Sequence, residues 1–377
     1  MDLNQSVLHE IEQWQPEQLE LLTTLARIPA PSNQEQKRAE FCRDWLEHNG
    51  AADVYVDEAL NVIWPIGVKA DNPLVVFAAH SDVVFPDLEE LPLEVRDEKI
   101  FCPGVGDDTA SVAALMMAAK YIAQNKLIPR ETGVLIVINS GEEGLGNLKG
   151  TRKLFEDFGD RITEFITFDG GNCRCVNRAV GSKRYRIEIE TEGGHSYGAF
   201  GNRNAIAYLA SLIDTLYTVK VPEGGKTTYN VGTISGGTSV NTIAQHAEML
   251  YEFRSDCRES LEIMERHLDA AIAFYRSKGV QVTVTLVGDR PCSGDVDAGK
   301  MQELMDRASA ATNRYYDTEL SFGSGSTDCN VPLSLEVPAI CIGCYQGSGA
   351  HTREEYVCID SLLPGMKFAL DMILYHF

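Results

Sequence analysis

Basic side chains are scarce in this sequence. Its 377 residues include 33 lysines and arginines against 55 aspartates and glutamates, which gives a formal net charge of -22. A chain this acidic repels the phosphates of nucleic acids and anionic lipid headgroups, so we expect neither a nucleic-acid partner nor binding to a membrane. The charge does not indicate a substrate, because an acidic excess spread over a surface mainly keeps a protein soluble.

Long apolar runs are also missing. The apolar segments 73–79 and 134–138 are far shorter than the about 20 residues that span a bilayer, which predicts buried strands instead. The N-terminal segment carries acids on a helical apolar period, whereas an export signal has basic residues followed by an apolar run. We therefore expect a cytoplasmic protein whose ten cysteines are free thiols rather than a disulfide framework.

The first part of the chain has the pattern of an α/β domain. Helical periodicity covers residues 6–27 and 34–49. The apolar strand 73–79, a helix of small residues over 109–126 and the apolar strand 133–140 follow. Strands that alternate with helices in this way are typical of a largely parallel sheet.

A second pattern begins near residue 181. Six segments up to residue 290 follow the order β-α-β-β-α-β, which is that of a ferredoxin-like domain. The α/β pattern returns from residue 291. We therefore predict an α/β protein whose first domain, with a mixed sheet, is split over residues 1–180 and 291–377, and whose ferredoxin-like domain is inserted at residues 181–290.

Acids and histidines follow the predicted strands in five short clusters. Open α/β sheets bind their ligands at the carboxyl ends of strands, which favours a common site. Each cluster alone also has an ordinary explanation, such as a buried histidine, a helix N-cap, a solvated glutamate pair or a turn. The clusters are AAHSDVV with His80 and Asp82, GVGDDTAS with Asp107 and Asp108, NSGEEGLG with Glu142 and Glu143, TFDGG with Asp169, and GSGAHTREE with His351.

Taken together, the clusters hold the ligands that two close metal ions need. Residues i and i+2 of an extended chain face one side, so Asp82 can hydrogen-bond the imidazole of His80 and orient it toward a metal ion. Asp107 can bridge two cations, while Asp108 caps a helix or supports the site. In the third cluster, one glutamate can bind a metal ion while its neighbour takes a proton from the attacking water. Nitrogen and oxygen ligands of this kind suit zinc.

In this order, the clusters resemble the M20 family of zinc peptidases and deacylases, over nearly the whole chain. The resemblance implies a split catalytic domain and an inserted lid domain through which two copies form a homodimer. It also implies a cis peptide bond after the bridging aspartate and two Zn²⁺ ions, for which Co²⁺ or Mn²⁺ could substitute. Glu142 would be the general base, and Asp82 would orient His80. The metal ligands would be His80 and Asp169 at one ion, Glu143 and His351 at the other, and Asp107 between them.

The resemblance extends to lid residues that would contact the substrate. His195, in GGHSYGAFGNRNAI, would stabilise the oxyanion of the tetrahedral intermediate across the dimer, with a turn histidine as the alternative. Asn241 in GTSVNTIAQ and Arg254 in YEFRSD would hold the carboxylate or carbonyl of the substrate. Arg254 could instead form an ion pair with Asp256.

Two departures from the family's pattern bear on function. The family commonly has lysine two residues after the bridging aspartate, where this chain has Thr109. The fourth cluster has Asp169, which resembles the family's aminopeptidases and dipeptidases, whereas its carboxypeptidases and deacylases have glutamate. The segment GSGSTDCN, whose Ser326 and Thr327 would contact the substrate, begins a stretch that makes peptidase T the nearest branch.

The resemblance implies a two-zinc exopeptidase that acts on small peptides, specifically an aminopeptidase for di- or tripeptides. One alternative is an N-acyl amino acid amidohydrolase, which would use the same metals on a non-peptide amide. Another, of a different class, is a non-catalytic binding protein on the same scaffold. Sequence leaves the choice of amide open, because specificity resides in lid contacts.

Overall fold

A computed structural model describes residues 3–316 and 318–377 of the chain. The chain forms two compact units. Unit 1 comprises Met1–Ala179 and Asp295–Phe377, and unit 2 comprises Val180–Gly294. All ten cysteines are free thiols, as predicted. Within the described residues, no helix is both long enough and apolar enough to cross a bilayer.

The described residues contain ten α-helices. They are α1 (Gln5–Glu12), α2 (Gln15–Arg27), α3 (Gln36–His48), α4 (Ser111–Gln124), α5 (Lys149–Phe158), α6 (Ala205–Leu216), α7 (Arg258–Ser277), α8 (Ala298–Tyr316), α9 (Asn330–Ser334) and α10 (Leu362–Leu374). The one helix expected over residues 6–27 is in fact two, because Pro16 sits in the first turn of α2. A proline there cannot donate the backbone hydrogen bond that would continue α1.

The described residues also contain eighteen β-strands. They are β1 (Tyr55–Val56), β2 (Val62–Ile66), β3 (Leu74–His80), β4 (Glu94–Arg96), β5 (Lys99–Phe101), β6 (Gly133–Asn139), β7 (Ile162–Thr167), β8 (Arg174–Ala179), β9 (Gly181–Glu190), β10 (Gly194–His195), β11 (Thr227–Gly236), β12 (Thr242–Ile243), β13 (His246–Ser255), β14 (Gln281–Arg290), β15 (Ser321–Gly325), β16 (Ala339–Ile342), β17 (Gly347–Ser348) and β18 (Tyr356–Cys358).

The main sheet of unit 1 has the strand order β1-β2-β6-β3-β7-β16-β8-β15. Its central strands β6, β3, β7 and β16 are parallel, whereas β2 and β8 run antiparallel to their neighbours β6 and β16. The sheet is therefore mixed, as predicted. Every residue of β3, β6 and β16 is buried, which explains their continuous apolar sequences. The carboxyl ends of the four parallel strands meet at one edge.

Helix α4 fixes the position of the chain that precedes it. Nearly all of its residues are buried, and many are alanine. Small side chains allow this helix to lie close to α2, α10 and β3, which it contacts. The loop with the second cluster runs directly into α4, so the packed helix anchors that loop at one end.

Unit 2 has a four-stranded antiparallel sheet in the order β11-β13-β9-β14. Apart from the short ribbon of β10 and β12, its elements follow one another as β9, α6, β11, β13, α7 and β14. This confirms the predicted β-α-β-β-α-β order. The two helices pack against the sheet through a core that includes Leu209, Leu212, Met264 and Ile272.

Candidate metal centre

Ligand-type side chains gather at the carboxyl edge of the parallel strands in unit 1. His80 is the last residue of β3, Glu143 follows β6, and Asp169 follows β7. Because β6, β3 and β7 are adjacent and parallel, the residues that follow them lie side by side.

A smaller sheet of unit 1 brings Asp107 and His351 to the same place. In this sheet β18 pairs with β5, with Val357 opposite Ile100. The loop after β5 carries Asp107, and the loop before β18 carries His351. Strand pairing between two distant parts of the sequence thus joins the second cluster to the fifth.

Asp107 lies between two histidines. Its Oδ1 is 3.1 Å from His80 Nε2, and its Oδ2 is 3.2 Å from His351 Nε2. His80 Nε2 is also 3.9 Å from Asp169 Oδ1, and His351 Nε2 is 2.9 Å from Glu143 Oε1. The five side chains therefore form two groups that share Asp107.

These spacings fit two zinc ions. Two ligand atoms bound at about 2.1 Å to a tetrahedral zinc ion lie about 3.4 Å from each other. The four nitrogen-to-oxygen distances run from 2.9 to 3.9 Å around that value. Imidazole and carboxylate donors are also the ligands of hydrolytic zinc sites. The residues present could thus hold two metal ions with Asp107 between them.

Burial and close charges shift the pKa values of these candidate ligands. Burial alone would lower the pKa of His80, but hydrogen bonds to carboxylates, above all Asp107, raise it well above its usual range. Hydrogen bonds to Asp107 and Glu143 raise the pKa of His351 to about 10. Burial and the charge of Asp107 raise the pKa of Asp169 to about 7. Metal binding at such ligands releases protons.

Asp82 holds both glutamates of the third cluster. Its Oδ1 accepts the backbone N–H of Glu142 at 2.9 Å, and its Oδ2 accepts that of Glu143 at 3.0 Å. The hydroxyl of Ser32 also donates to Oδ2, at 2.6 Å. The Nδ1 of His80 lies 3.5 Å from the carboxylate of Asp82 and 3.0 Å from its backbone oxygen. Asp82 thus contacts His80 mainly through the backbone, while its carboxylate orients the glutamate pair, a contact that the sequence did not reveal.

Asp108 supports the site from behind His80. Its Oδ2 accepts the backbone N–H of His80 at 3.0 Å, and the N-cap position of α4 belongs to Ala110. Of the two roles considered for Asp108, support of the site is therefore the one that its contacts favour. Burial raises the pKa of Asp108 well above its usual range. The peptide bond between Asp107 and Asp108 is cis, as the resemblance implies.

His195 and Asn241 lie near each other in unit 2. His195 is exposed in β10, which pairs with β12, and its Nδ1 accepts the backbone N–H groups of Tyr197 and Gly198, both at 3.2 Å. The backbone oxygen of Asn241 accepts the N–H of Ser196 at 2.9 Å. The ring of His195 is therefore oriented by its own turn.

Arg254 lies near the end of β13 in unit 2. Its Nε and Nη2 donate to the carboxylate of Glu252 at 3.1 and 3.0 Å. Its ion-pair partner is thus Glu252, which lies two residues away on the same face of β13, whereas Asp256 lies beyond the end of the strand. The Oδ1 of Asp256 accepts the backbone N–H of Lys226 at 2.7 Å.

Ser326 and Thr327 follow β15 in unit 1. Thr327 is largely buried, and its hydroxyl accepts the backbone N–H of Cys329 at 3.1 Å. The adjacent Asp328 accepts a hydrogen bond from the amide of Asn139 at 2.6 Å. Because Asn139 is the last residue of β6, this turn is joined to the strand that carries the glutamate pair.

The sequence profile of Peptidase family M20/M25/M40 matches residues 76–375, a span that includes all five ligand-type residues. The chain belongs to this peptidase family. It is therefore an enzyme that hydrolyses peptide or other amide bonds, and the alternative of a non-catalytic binding protein does not hold. The M20 resemblance of the five clusters is confirmed.

Similar proteins include both peptidases and a deacylase. A tripeptidase from Staphylococcus aureus has a similar structure, with a TM-score of 0.77 and 21% identity over 95% of this chain and 97% of that one. Aminopeptidase PepT from Bacillus cereus has a TM-score of 0.71 and 20% identity over 95% and 98% of the two chains. Succinyl-diaminopimelate desuccinylase of Paraburkholderia xenovorans is 25% identical over 86% of this chain and 87% of its own.

A buried arginine contacts Thr109, which stands where the M20 family commonly has lysine. Nη1 of Arg38 lies 3.2 Å from Thr109 Oγ1 and donates to the backbone oxygen of Ser81 at 2.8 Å. Nε and Nη2 of Arg38 donate to the backbone oxygen of Ile28. The guanidinium thereby joins the first and second clusters. Sequence offered no sign of this, because an arginine on a short amphipathic helix is usually exposed.

Replacing Arg38 with Met should destabilise unit 1 by about 2–4 kcal/mol, because the buried backbone oxygen of Ser81 and the partly buried one of Ile28 lose their donor. Urea unfolding of the purified protein measures the effect. Arg43→Met is the matched control, since Arg43 lies on the same helix, is partly exposed and pairs with the neighbouring Asp44. We expect that control to change stability by no more than about 0.5 kcal/mol. Equal unfolding midpoints for the two variants would contradict the role of Arg38.

Proposed function

We propose that this M20 enzyme is a cytoplasmic two-zinc aminopeptidase that removes N-terminal residues from di- and tripeptides. The observation that carries the proposal is the position of Asp107 between two histidine–carboxylate pairs. His80 and Asp169 would hold one ion and Glu143 and His351 the other, with Asp107 bridging. Zinc at these ligands would polarise the scissile carbonyl and lower the pKa of the attacking water, and Co²⁺ or Mn²⁺ could substitute.

Glu142 is the proposed general base. It is largely buried next to the ligand Glu143, and Asp82 fixes the backbone N–H groups of both residues. In this role Glu142 accepts the proton of the attacking water and later donates it to the leaving amine. These two hydrogen bonds hold the proposed base and the neighbouring proposed ligand in fixed positions relative to each other.

The remaining assignments belong to the same proposal. Unit 1 would be the catalytic domain, and unit 2 the lid through which a homodimer forms. His195 would stabilise the oxyanion, and Asn241 and Arg254 would hold the substrate's carboxylate or carbonyl. Ser326 and Thr327 would also contact the substrate.

The second candidate is an N-acyl amino acid amidohydrolase. The similarity to a succinyl-diaminopimelate desuccinylase favours it, because that protein's name describes removal of an acyl group. The similarity to a tripeptidase and to aminopeptidase PepT, together with aspartate at position 169, favours the aminopeptidase.

A substrate panel separates the two candidates. The zinc-loaded protein is assayed with a free tripeptide, the same tripeptide N-acetylated or C-amidated, and N-acetyl and N-succinyl amino acids. We expect release of the N-terminal residue from the free and amidated tripeptides and no cleavage of the acetylated one, because an aminopeptidase requires a free amine. Glu142→Gln protein purified in parallel controls for contaminating peptidases. Cleavage of acyl amino acids alone would replace the proposal with its rival.

A further inference from the structure

Glu355 is a buried acid at the end of the fifth cluster, GSGAHTREE, and the proposed mechanism gives it no role. It lies in the same loop as His351 and directly before β18, and its exposed fraction is 2%. Buried carboxylates are rare unless their oxygens are paired. Its contacts therefore show what it does in the fold.

The carboxylate of Glu355 accepts three backbone N–H groups of the loop that ends at Asp107. Oε2 accepts the N–H of Gly104 at 2.8 Å. Oε1 accepts the N–H groups of Gly106 and Asp107 at 2.9 and 2.7 Å. Three donors facing one side chain suit an ionised carboxylate, which only accepts hydrogen bonds.

The backbone of Glu355 is held to the same segment. Its carbonyl oxygen accepts the N–H of Cys102 at 3.2 Å, directly beyond the pairing of β18 with β5. Strand pairing thus sets where Glu355 lies, and its side chain then reaches across the loop. One residue connects the segment of His351 to the segment of Asp107.

The loop itself leaves little room for another arrangement. Gly104 has φ +74°, and a Cβ there would lie 2.4 Å from Val83 Cγ1. A Cβ on Gly106 would lie 2.7 Å from the ring of Tyr345. Close packing on both sides and a carboxylate on its N–H groups together define the position of this loop.

We infer that Glu355 is a positioning residue that holds Asp107 at the spacing from His351 that two metal ions need. The inference rests on the proposed metal centre. Asp107 Oδ2 lies 3.2 Å from His351 Nε2, and both residues belong to segments that Glu355 joins. If the carboxylate is lost, the loop that carries Asp107 can move, and Asp107 no longer lies at the distance from His351 that a shared metal ion requires.

The test is the zinc affinity of Glu355→Gln, measured on metal-free protein by competition with a chelator. An amide of the same size offers one oxygen and turns an N–H₂ group toward backbone N–H groups. We expect the affinity to fall by about 10–100-fold, the usual effect of losing a partner of a ligand. Glu354→Gln is the matched control, because Glu354 is adjacent, exposed and undergoes the same change of charge. It should bind zinc as the natural protein does.

Circular dichroism separates this role from a purely structural one. A structural role would lower the unfolding temperature and leave the zinc affinity of the folded protein unchanged, and that result would overturn the inference. If Glu355→Gln does not fold, Glu355→Asp replaces it. That side chain keeps its charge but is too short to reach all three N–H groups, so we expect weaker zinc binding, and natural affinity would overturn the inference.

Amide hydrogen exchange on the natural metal-free protein needs no substitution. We expect the amides of Gly104, Gly106 and Asp107 to be protected, and exchange as fast as in an unfolded chain would contradict the contacts. The outcomes also distinguish this inference from the proposed function. A natural protein that binds no zinc refutes the metal centre, whereas a natural protein and Glu355→Gln that bind zinc equally refute only the role of Glu355.

Discussion

Glu142→Gln should leave both metal ions bound and lower kcat by about 10²–10⁴-fold, the contribution of a positioned general base. Glutamine keeps the size of the side chain but cannot take a proton from water. The backbone N–H of Glu142 still donates to Asp82, so the loop should keep its conformation. Metal content by elemental analysis and kcat on a tripeptide measure the two effects separately.

The adjacent glutamate provides the matched comparison. Glu143 lies 2.9 Å from His351 Nε2 and has the same backbone contact with Asp82. Glu143→Gln should therefore reduce zinc content, whereas Glu142→Gln should not. Near-normal turnover by Glu142→Gln would refute its role as the base, and loss of zinc from Glu142→Gln would make it a ligand instead.

Asp107→Asn should weaken the binding of both metal ions. We expect a loss larger than the about 10–100-fold that follows when a residue hydrogen-bonded to a ligand is removed. The two carboxylate oxygens of Asp107 face different histidines, at 3.1 and 3.2 Å. Asparagine offers one oxygen and no negative charge, so neither cation keeps the shared anion that lets the two lie close together. Zinc stoichiometry and affinity of the variant measure the loss.

Asp108→Asn is the control for this substitution. Asp108 is the next residue and is also buried, but its carboxylate accepts the backbone N–H of His80 at 3.0 Å, and an amide oxygen can accept the same bond. Asp108→Asn should thus keep both ions. Natural zinc affinity in Asp107→Asn would show that Asp107 is not the bridging ligand, and equal loss in both variants would show that the loss is not specific to Asp107.

The candidate ligands that follow β3 and β6 could be picked out from the sequence because their signals are local. The buried parallel strands β3 and β6 are continuous apolar segments, and their ends are marked by the polar residues that follow. The apolar pattern alone therefore predicts His80 and the pair Glu142 and Glu143 at strand ends. The order of elements in unit 2 was equally local, since each helix and strand has its own periodicity.

Other features were not predicted from the sequence. Helix α1 ends where α2 begins because of Pro16, a local signal that a longer apolar period concealed. Arg38 becomes buried and contacts two clusters only when α3 packs against the loops that contain Ser81 and Thr109. Glu252 and Asp256 are equally close to Arg254 in sequence, and Arg254 pairs with Glu252 because β13 ends at Ser255, between Arg254 and Asp256.

The sequence by itself determined which side chains gather at the candidate metal centre, because hydrophobic periodicity and turn residues define strands and their ends within short windows. Only the tertiary structure decided how those side chains are held. The pairing of β18 with β5 joins His351 to Asp107, and the carboxylates of Asp82 and Glu355 bind backbone N–H groups of loops far from them in sequence. Such contacts depend on the packing of the whole unit, and no local pattern encodes which distant N–H group a carboxylate will meet.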